Sequence, residues 1–276
     1  LIGAGGMGSV WVAEQLALKQ TVVVKFHESW SRAEDPERAI ERFVREAKLL
    51  AQVRHRNVIA LYEVGTTEVG EPFLIMERLS GNALSWRMRD GHPMPLLESL
   101  DIAIEIARGL EAVHAAGVHH RDVKPENIFL HHDEHEIVPK LLDFGLAGSA
   151  KVSRLTDSDH TVGTPGYMPP EQAYGLDHID HRVDLYALGV TLYEMLSGAL
   201  PALGDTNEEL VHFTVHHDPI PLVDHRPDLA GPIAELVMRT IDRDRDVRPA
   251  TAREMRYLLE DLRDDLAVSM SRPGGR

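Results

Sequence analysis

Near Gly81 the character of this chain changes, and the change limits what it can fold into. Ahead of it lie short runs rich in β-branched residues: Val10–Ala13, Thr21–Phe26, Val58–Val64 and Pro72–Glu77, the last two joined by a turn spanning Gly65–Gly70. Runs of this kind, bounded by turn residues, read as strands. One helical pattern interrupts them. Asp35 is placed to cap a helix with Pro36 at its first position, and Ile40, Phe43, Val44, Ala47, Leu50 and Ala51 follow at helical spacing. Beyond Gly81 the patterns are mostly helical: Leu96–Ala116, stopped by Gly117, then about 181–197, 206–216, 231–241 and 250–268. An α+β protein of two lobes is expected. A small β-rich N-lobe with one helix spans 1–78, a larger, mainly helical C-lobe spans 79–268, and 269–276 reads as the start of a flexible linker.

The 276 residues suffice for one large domain or two closely packed lobes. The net charge of −15 argues against a nucleic-acid or anionic-membrane surface, since both need basic patches. With 0 cysteines, disulfides and thiolate chemistry are excluded. Leu185–Leu203 carries a single charge, Glu194, and is long enough to suggest a membrane span. Ser197, Gly198 and Pro201 break it up, so a buried core helix ending near Gly198 is expected instead. The chain opens at Leu1 with a glycine-rich loop at once, so it reads as starting inside a longer chain, with only the tail of a first strand.

Several polar groups suggest phosphate chemistry. Gly3, Gly5 and Gly8, followed by Val10, form G-x-G-x-x-G-x-V, where glycines let backbone N–H groups approach phosphate oxygens. A dinucleotide-binding turn has similar glycines, and Glu28 stands near the offset of its acidic residue. That turn opens a helix, whereas a β-branched run follows here. Lys25 ends an apolar run and needs a partner for its charge. Glu46 on the following helix is one candidate, and two unrelated surface residues is the plainer reading. In His120-Arg121-Asp122-Val123-Lys124-Pro125-Glu126-Asn127, Asp122 suits orienting a hydroxyl and accepting its proton. Asn127, and Asp143 ahead of Phe144-Gly145, suit metal ligands, and Lys124 suits neutralising a phosphoryl group. Each alone reads equally well as loop polarity.

Taken in order, these motifs resemble the eukaryotic-type (Hanks-type) serine/threonine protein kinases, in a bacterial receptor-kinase style, over about residues 1–265. The resemblance implies a two-lobed kinase fold and the cofactors ATP and Mg²⁺, with Mn²⁺ as an alternative ion. Gly3, Gly5 and Gly8 would cover the phosphates. Lys25 would contact them and pair with Glu46. Asp122 would be the base, Lys124 would stabilise the γ-phosphoryl group, and Asn127 and Asp143 would hold the metal. Ile2, Val10, Val23 and Phe129 would wall the adenine slot, with Met76 as gatekeeper and Glu77-Arg78-Leu79 as hinge. Leu50, Leu61, His120 and Phe144 would form a spine anchored by Asp184, and Glu171 would pair with Arg248.

Lys124 with Gly163-Thr164-Pro165-Gly166-Tyr167 resembles the serine/threonine branch, where Thr164 would bond the base and the lysine. Arg121 implies phosphorylation within 143–171, with Thr161 first, then Ser158 and Thr156. Protein substrates follow, together with a homodimer for autophosphorylation in trans and a cytoplasmic location, alone or as the inner part of a membrane-anchored receptor. Glu126 stands where some members bind an arginine upstream of the target residue. Three features depart from the pattern. Val23 replaces an alanine over the adenine, Pro169 replaces the alanine before Pro170-Glu171, and the first strand is cut short. The alternative is a pseudokinase, a nucleotide-binding scaffold. The histidines at 131, 132 and 135 read as a solvated turn, not a metal site.

Overall fold

The computed structural model describes residues 1–5, 8–27, 35–144, 164–176 and 179–271. The N-lobe holds β1 (Gly3–Gly5), β2 (Gly8–Gln15), β3 (Gln20–His27), α1 (Pro36–Leu50), β4 (Leu61–Thr66) and β5 (Pro72–Glu77). Its strands form one antiparallel sheet in the order β1-β2-β3-β5-β4. The register sets Val23 opposite Met76, so two residues expected at the slot lie side by side. Gly8, at φ +129°, is required by packing. A Cβ there would meet the carbonyl oxygen of Phe26 on β3 at 1.8 Å.

The helix expected after Asp35 forms with that residue as its cap, the Asp35 carboxylate accepting from Arg38 N–H at 3.1 Å. Phe43, Ala47 and Leu50 bury against the sheet, following the apolar spacing. The strand expected from 58 starts three residues later, at Leu61. Residues 57–59 pair instead with the Ile137–Leu141 strand of the other lobe: Ile59 N–H donates to Leu141 C=O, and Leu141 N–H to Asn57 C=O. The backbone groups that would have extended the N-lobe sheet are used to join the lobes.

The C-lobe contains β6 (Gly81–Ala83), α2 (Leu84–Met88), α3 (Leu96–Ala115), β7 (Ile128–His132), β8 (Ile137–Leu141), α4 (Pro170–Ala173), α5 (Arg182–Ser197), α6 (Asn207–His216), α7 (Leu222–His225), α8 (Pro232–Thr240) and α9 (Ala252–Ser271). A small sheet, β6-β7-β8, lies at the lobe junction. The apolar run at 185–203 is the core helix α5, buried on every side, and it stops where Gly198 turns left-handed at φ 76°. Among the described residues no helix is long and apolar enough to cross a membrane. α9 continues to Ser271, so residues 269–271, expected to begin a linker, are helical.

Candidate active site

The loop between α3 and β7 carries the first motif. Its shape is fixed from beneath by Asp184, at the start of α5, whose carboxylate is fully buried. One oxygen accepts from Arg121 N–H at 2.7 Å, and the other from His120 N–H at 2.9 Å and the His114 ring at 2.8 Å. Burial alone would push this carboxyl upward. The hydrogen bonds from the His114 ring and from His120 N–H leave it below the usual range. Arg121 is held at φ 63°, a conformation that side-chain-bearing residues rarely adopt. Strain of this kind persists only where the surroundings dictate it, and the two bonds to Asp184 do so here.

His120 is fully buried and its ring is pushed toward the neutral form by desolvation. Nδ1 accepts from Asp122 N–H at 3.3 Å, so Nε2 carries the proton and donates to Leu142 C=O at 2.7 Å. The ring also stacks on Phe144 at 4.4 Å between centroids. Leu50, Leu61 and Phe144 are buried in one core and line one small cavity with Met76 and Lys25, consistent with a spine crossing the lobes.

Asp122 meets donors from two directions. Thr164 hydroxyl donates to its Oδ1 at 3.1 Å, Asn127 Nδ2 to Oδ2 at 2.8 Å, and Lys124 Nζ approaches Oδ2 at 2.8 Å. Lys124 Nζ also donates to Thr164 Oγ1. Asn127 spends its amide hydrogens on Asp122, including the backbone C=O at 2.8 Å, which leaves its amide oxygen as the free acceptor. That oxygen and the half-exposed carboxylate of Asp143 are hard donors of the kind that suit Mg²⁺. Among the described residues no group of three or more His, Cys, Asp or Glu converges on a metal position. The remaining ligands of such an ion would come from phosphate and water, as is usual for Mg²⁺.

One expected pair does not form. Lys25 Nζ binds Asp143 Oδ1 at 2.7 Å, and no ion pair joins Lys25 to Glu46 among the described residues. Lys25 is buried, and its charge is matched by the nearest carboxylate. Glu46 is partly buried on α1, and desolvation raises its carboxyl against the fields of Arg121, Arg42 and Arg45. Asp143 sits at φ 47°, a second left-handed residue at the site.

The residues expected to wall a nucleotide slot are distributed unevenly. Val23 and Met76 are buried beside each other, Val10, Leu79 and Phe129 are half-buried, and Ile2 is 63% exposed at the sheet's edge. Glu171 and Arg248 do pair, in a buried fork at 2.6 and 2.9 Å, with Tyr186 4.8 Å below the guanidinium. His131 is structural: its Nδ1 faces the Ser80 N–H and C=O at 3.1 and 3.0 Å. Gly145, Gly163, Thr156, Ser158, Thr161 and Glu28 lie outside the described residues. Sequence reasoning missed His114, which closes the shell around Asp184, and Lys140, which holds Glu77 at the end of β5. Both act across 60 or more residues and have no local signature.

The architecture and this loop define the class: a β-rich lobe over a helical lobe, with a positioned carboxylate, lysine and amide at their junction, is a protein kinase fold. Comparison with known proteins places the chain more closely. The protein kinase domain family matches residues 1–258. Serine/threonine-protein kinase pkn3 of Myxococcus xanthus is 36% identical over 271 residues, covering 94% of this chain and 48% of that protein. Serine/threonine-protein kinase PknB of Mycobacterium leprae is 33% identical over 260 residues, covering 93% and 41%. The DNA damage-responsive serine/threonine-protein kinase RqkA of Deinococcus radiodurans is 34% identical over 284 aligned positions, covering 100% and 41%. The chain belongs to the protein kinase family, in its Hanks-type serine/threonine branch with these bacterial enzymes. It spans about half or less of the length of these relatives.

Proposed function

We propose that this domain transfers the γ-phosphoryl group of ATP to serine and threonine hydroxyls of proteins. The observation that carries the reading is the orientation of Asp122 by Thr164, Asn127 and Lys124. A substrate hydroxyl at Asp122 gives up its proton to the carboxylate as its oxygen bonds to the γ-phosphorus. The bond from that phosphorus to the bridging oxygen breaks, and ADP leaves. Lys124, beside the base, offsets charge on the moving group, and Lys25 meets the other phosphates. Mg²⁺, taken by Asn127 Oδ1 and the Asp143 carboxylate, neutralises phosphate charge when bound. The glycines at 3, 5 and 8 close over the phosphates, and the slot of Val10, Val23, Phe129, Met76 and Leu79 takes the adenine.

Glu126 and Glu194 give the floor beside Thr164 an acidic character. Tyr167 hydroxyl donates to Glu194 at 2.6 Å, and burial together with Glu126 raises the Glu194 carboxyl against that bond. A peptide with a basic residue before the target suits this floor. Activation runs through Arg121. Here its charge serves Glu46, and a phosphate on Thr161 is a stronger partner, which would release Glu46 toward Lys25. Autophosphorylation in trans would use a transient homodimer.

The test is incubation of the purified domain with radiolabelled ATP and Mg²⁺, beside Asp122→Ala, followed by mapping of labelled residues. Label on serine and threonine in the wild type alone supports the reading. Equal label in both proteins, or none in either, contradicts it, and the second result favours the pseudokinase.

A further inference from the structure

Lys140 is a lysine 8% exposed in the small sheet at the lobe junction, a place where an unpaired ammonium is costly. Its Nζ donates to Glu77 Oε1 at 2.8 Å, and the same oxygen accepts from Ala60 N–H at 2.8 Å. Glu77 N–H in turn donates to Ala60 C=O at 3.0 Å. Glu77 is the last residue of β5, so this knot stands where the N-lobe sheet ends and the hinge begins. On the other side, Lys140 is the cross-strand partner of Phe129 in β7. Asn57 Nδ2 donates to Pro139 C=O at 2.8 Å and ties the 57–60 segment to the same strand. One ammonium therefore joins the two sheets and stands between the hinge and the floor of the slot.

We infer that Lys140 is a positioning residue for the nucleotide: by fixing the Glu77 carboxylate it sets the hinge backbone and Phe129 at the spacing an adenine ring requires. The inference rests on the reading of this cleft as an ATP site. Lys140 touches no reacting group, so its effect falls on binding and leaves the chemical step alone.

The experiment compares wild type, Lys140→Met and Lys140→Arg, measuring KM for ATP, kcat on a generic serine/threonine substrate, and Kd for a fluorescent ADP analogue. Lys140→Met is expected to raise KM and Kd about tenfold with kcat within about twofold, and Lys140→Arg to restore most of the affinity. Should Lys140→Met fail to fold, Lys140→Gln, which keeps a donor for Glu77 but loses the charge and the reach, is read in its place with the same expectation. Unchanged KM and Kd in a folded variant overturn the inference alone, as does a fall in kcat that parallels lost stability. Wild-type protein that binds no nucleotide overturns the ATP reading, and the inference with it.

Discussion

His27 shows how a single buried residue records its surroundings. It follows Lys25 on the same side of β3, is 6% exposed, and packs at a tilt against Phe43 of α1 with ring centroids 4.8 Å apart. Burial lowers its pKa to about 4, the Lys25 charge adds to the fall, and Asp143 opposes it. In the unfolded chain the ring takes up a proton near its ordinary value of 6.5. The stability tied to the neutral ring is thus present above pH 6.5 and drains away as pH falls toward 4, by at most about 3 kcal/mol. Denaturant midpoints at pH 7.5 and 4.5 should show a smaller acid loss for His27→Leu than for the wild type. An equal loss in both would remove His27 from the acid response. At the catalytic loop, Thr164→Val takes away one of the donors that aim Asp122, and kcat should drop about 10-fold to 100-fold with nucleotide affinity little changed. Steady-state kinetics beside nucleotide titration check this.

At the scale of elements, the short helix α4 is anchored by a buried ion pair. Arg248 reaches Glu171 from beyond α8 with a guanidinium side chain that is 0% exposed, so either partner alone would leave a buried charge. Arg248→Met should cost about 3–5 kcal/mol, seen in urea unfolding, and the double change with Glu171→Gln should cost less than the single one. The α3–α9 contact is built differently. Glu111 meets Arg253 and Arg256, Arg108 meets Glu260, and Asp101 meets Arg263, all near the surface. Glu111→Gln should lower the melting temperature slightly at low salt, and the difference should vanish near ~1 M salt. The elements themselves were largely legible in sequence, because the Asp35 cap, the Gly117 and Gly198 stops and the apolar spacings are local signals. The start of β4 was not. Residues 58 and 59 look like strand but form only an isolated bridge, whose partner is Leu141 in the other lobe, and no local pattern names a partner that distant.

For the whole molecule, two lobes meet along a seam of polar contacts: Lys25 with Asp143, Lys140 with Glu77, and Asn57 with β8. The catalytic loop was legible because its residues are close in sequence and each type suits one task. The shell beneath it was only half legible, since His114 and Asp184 stand 70 residues apart. The Lys25–Glu46 pair was expected from the family resemblance. The structure instead has Lys25 with Asp143 and Glu46 in the field of Arg121, and under the proposed activation ATP and a phosphate on Thr161 would redistribute these charges. Thr161→Ala should therefore cut activity about tenfold or more while leaving the fold intact, as read by kinase assay and circular dichroism. The central claim is that Asp122 drives transfer within a cleft that binds ATP independently of it. Nucleotide affinity and phosphoryl transfer, measured on the same preparations of wild type and Asp122→Asn, test it most directly. Matched affinities within a few-fold, with transfer reduced by about 10²–10⁴ in the variant, are predicted. Matched affinities with equal transfer, or with no transfer by the wild type, would contradict it.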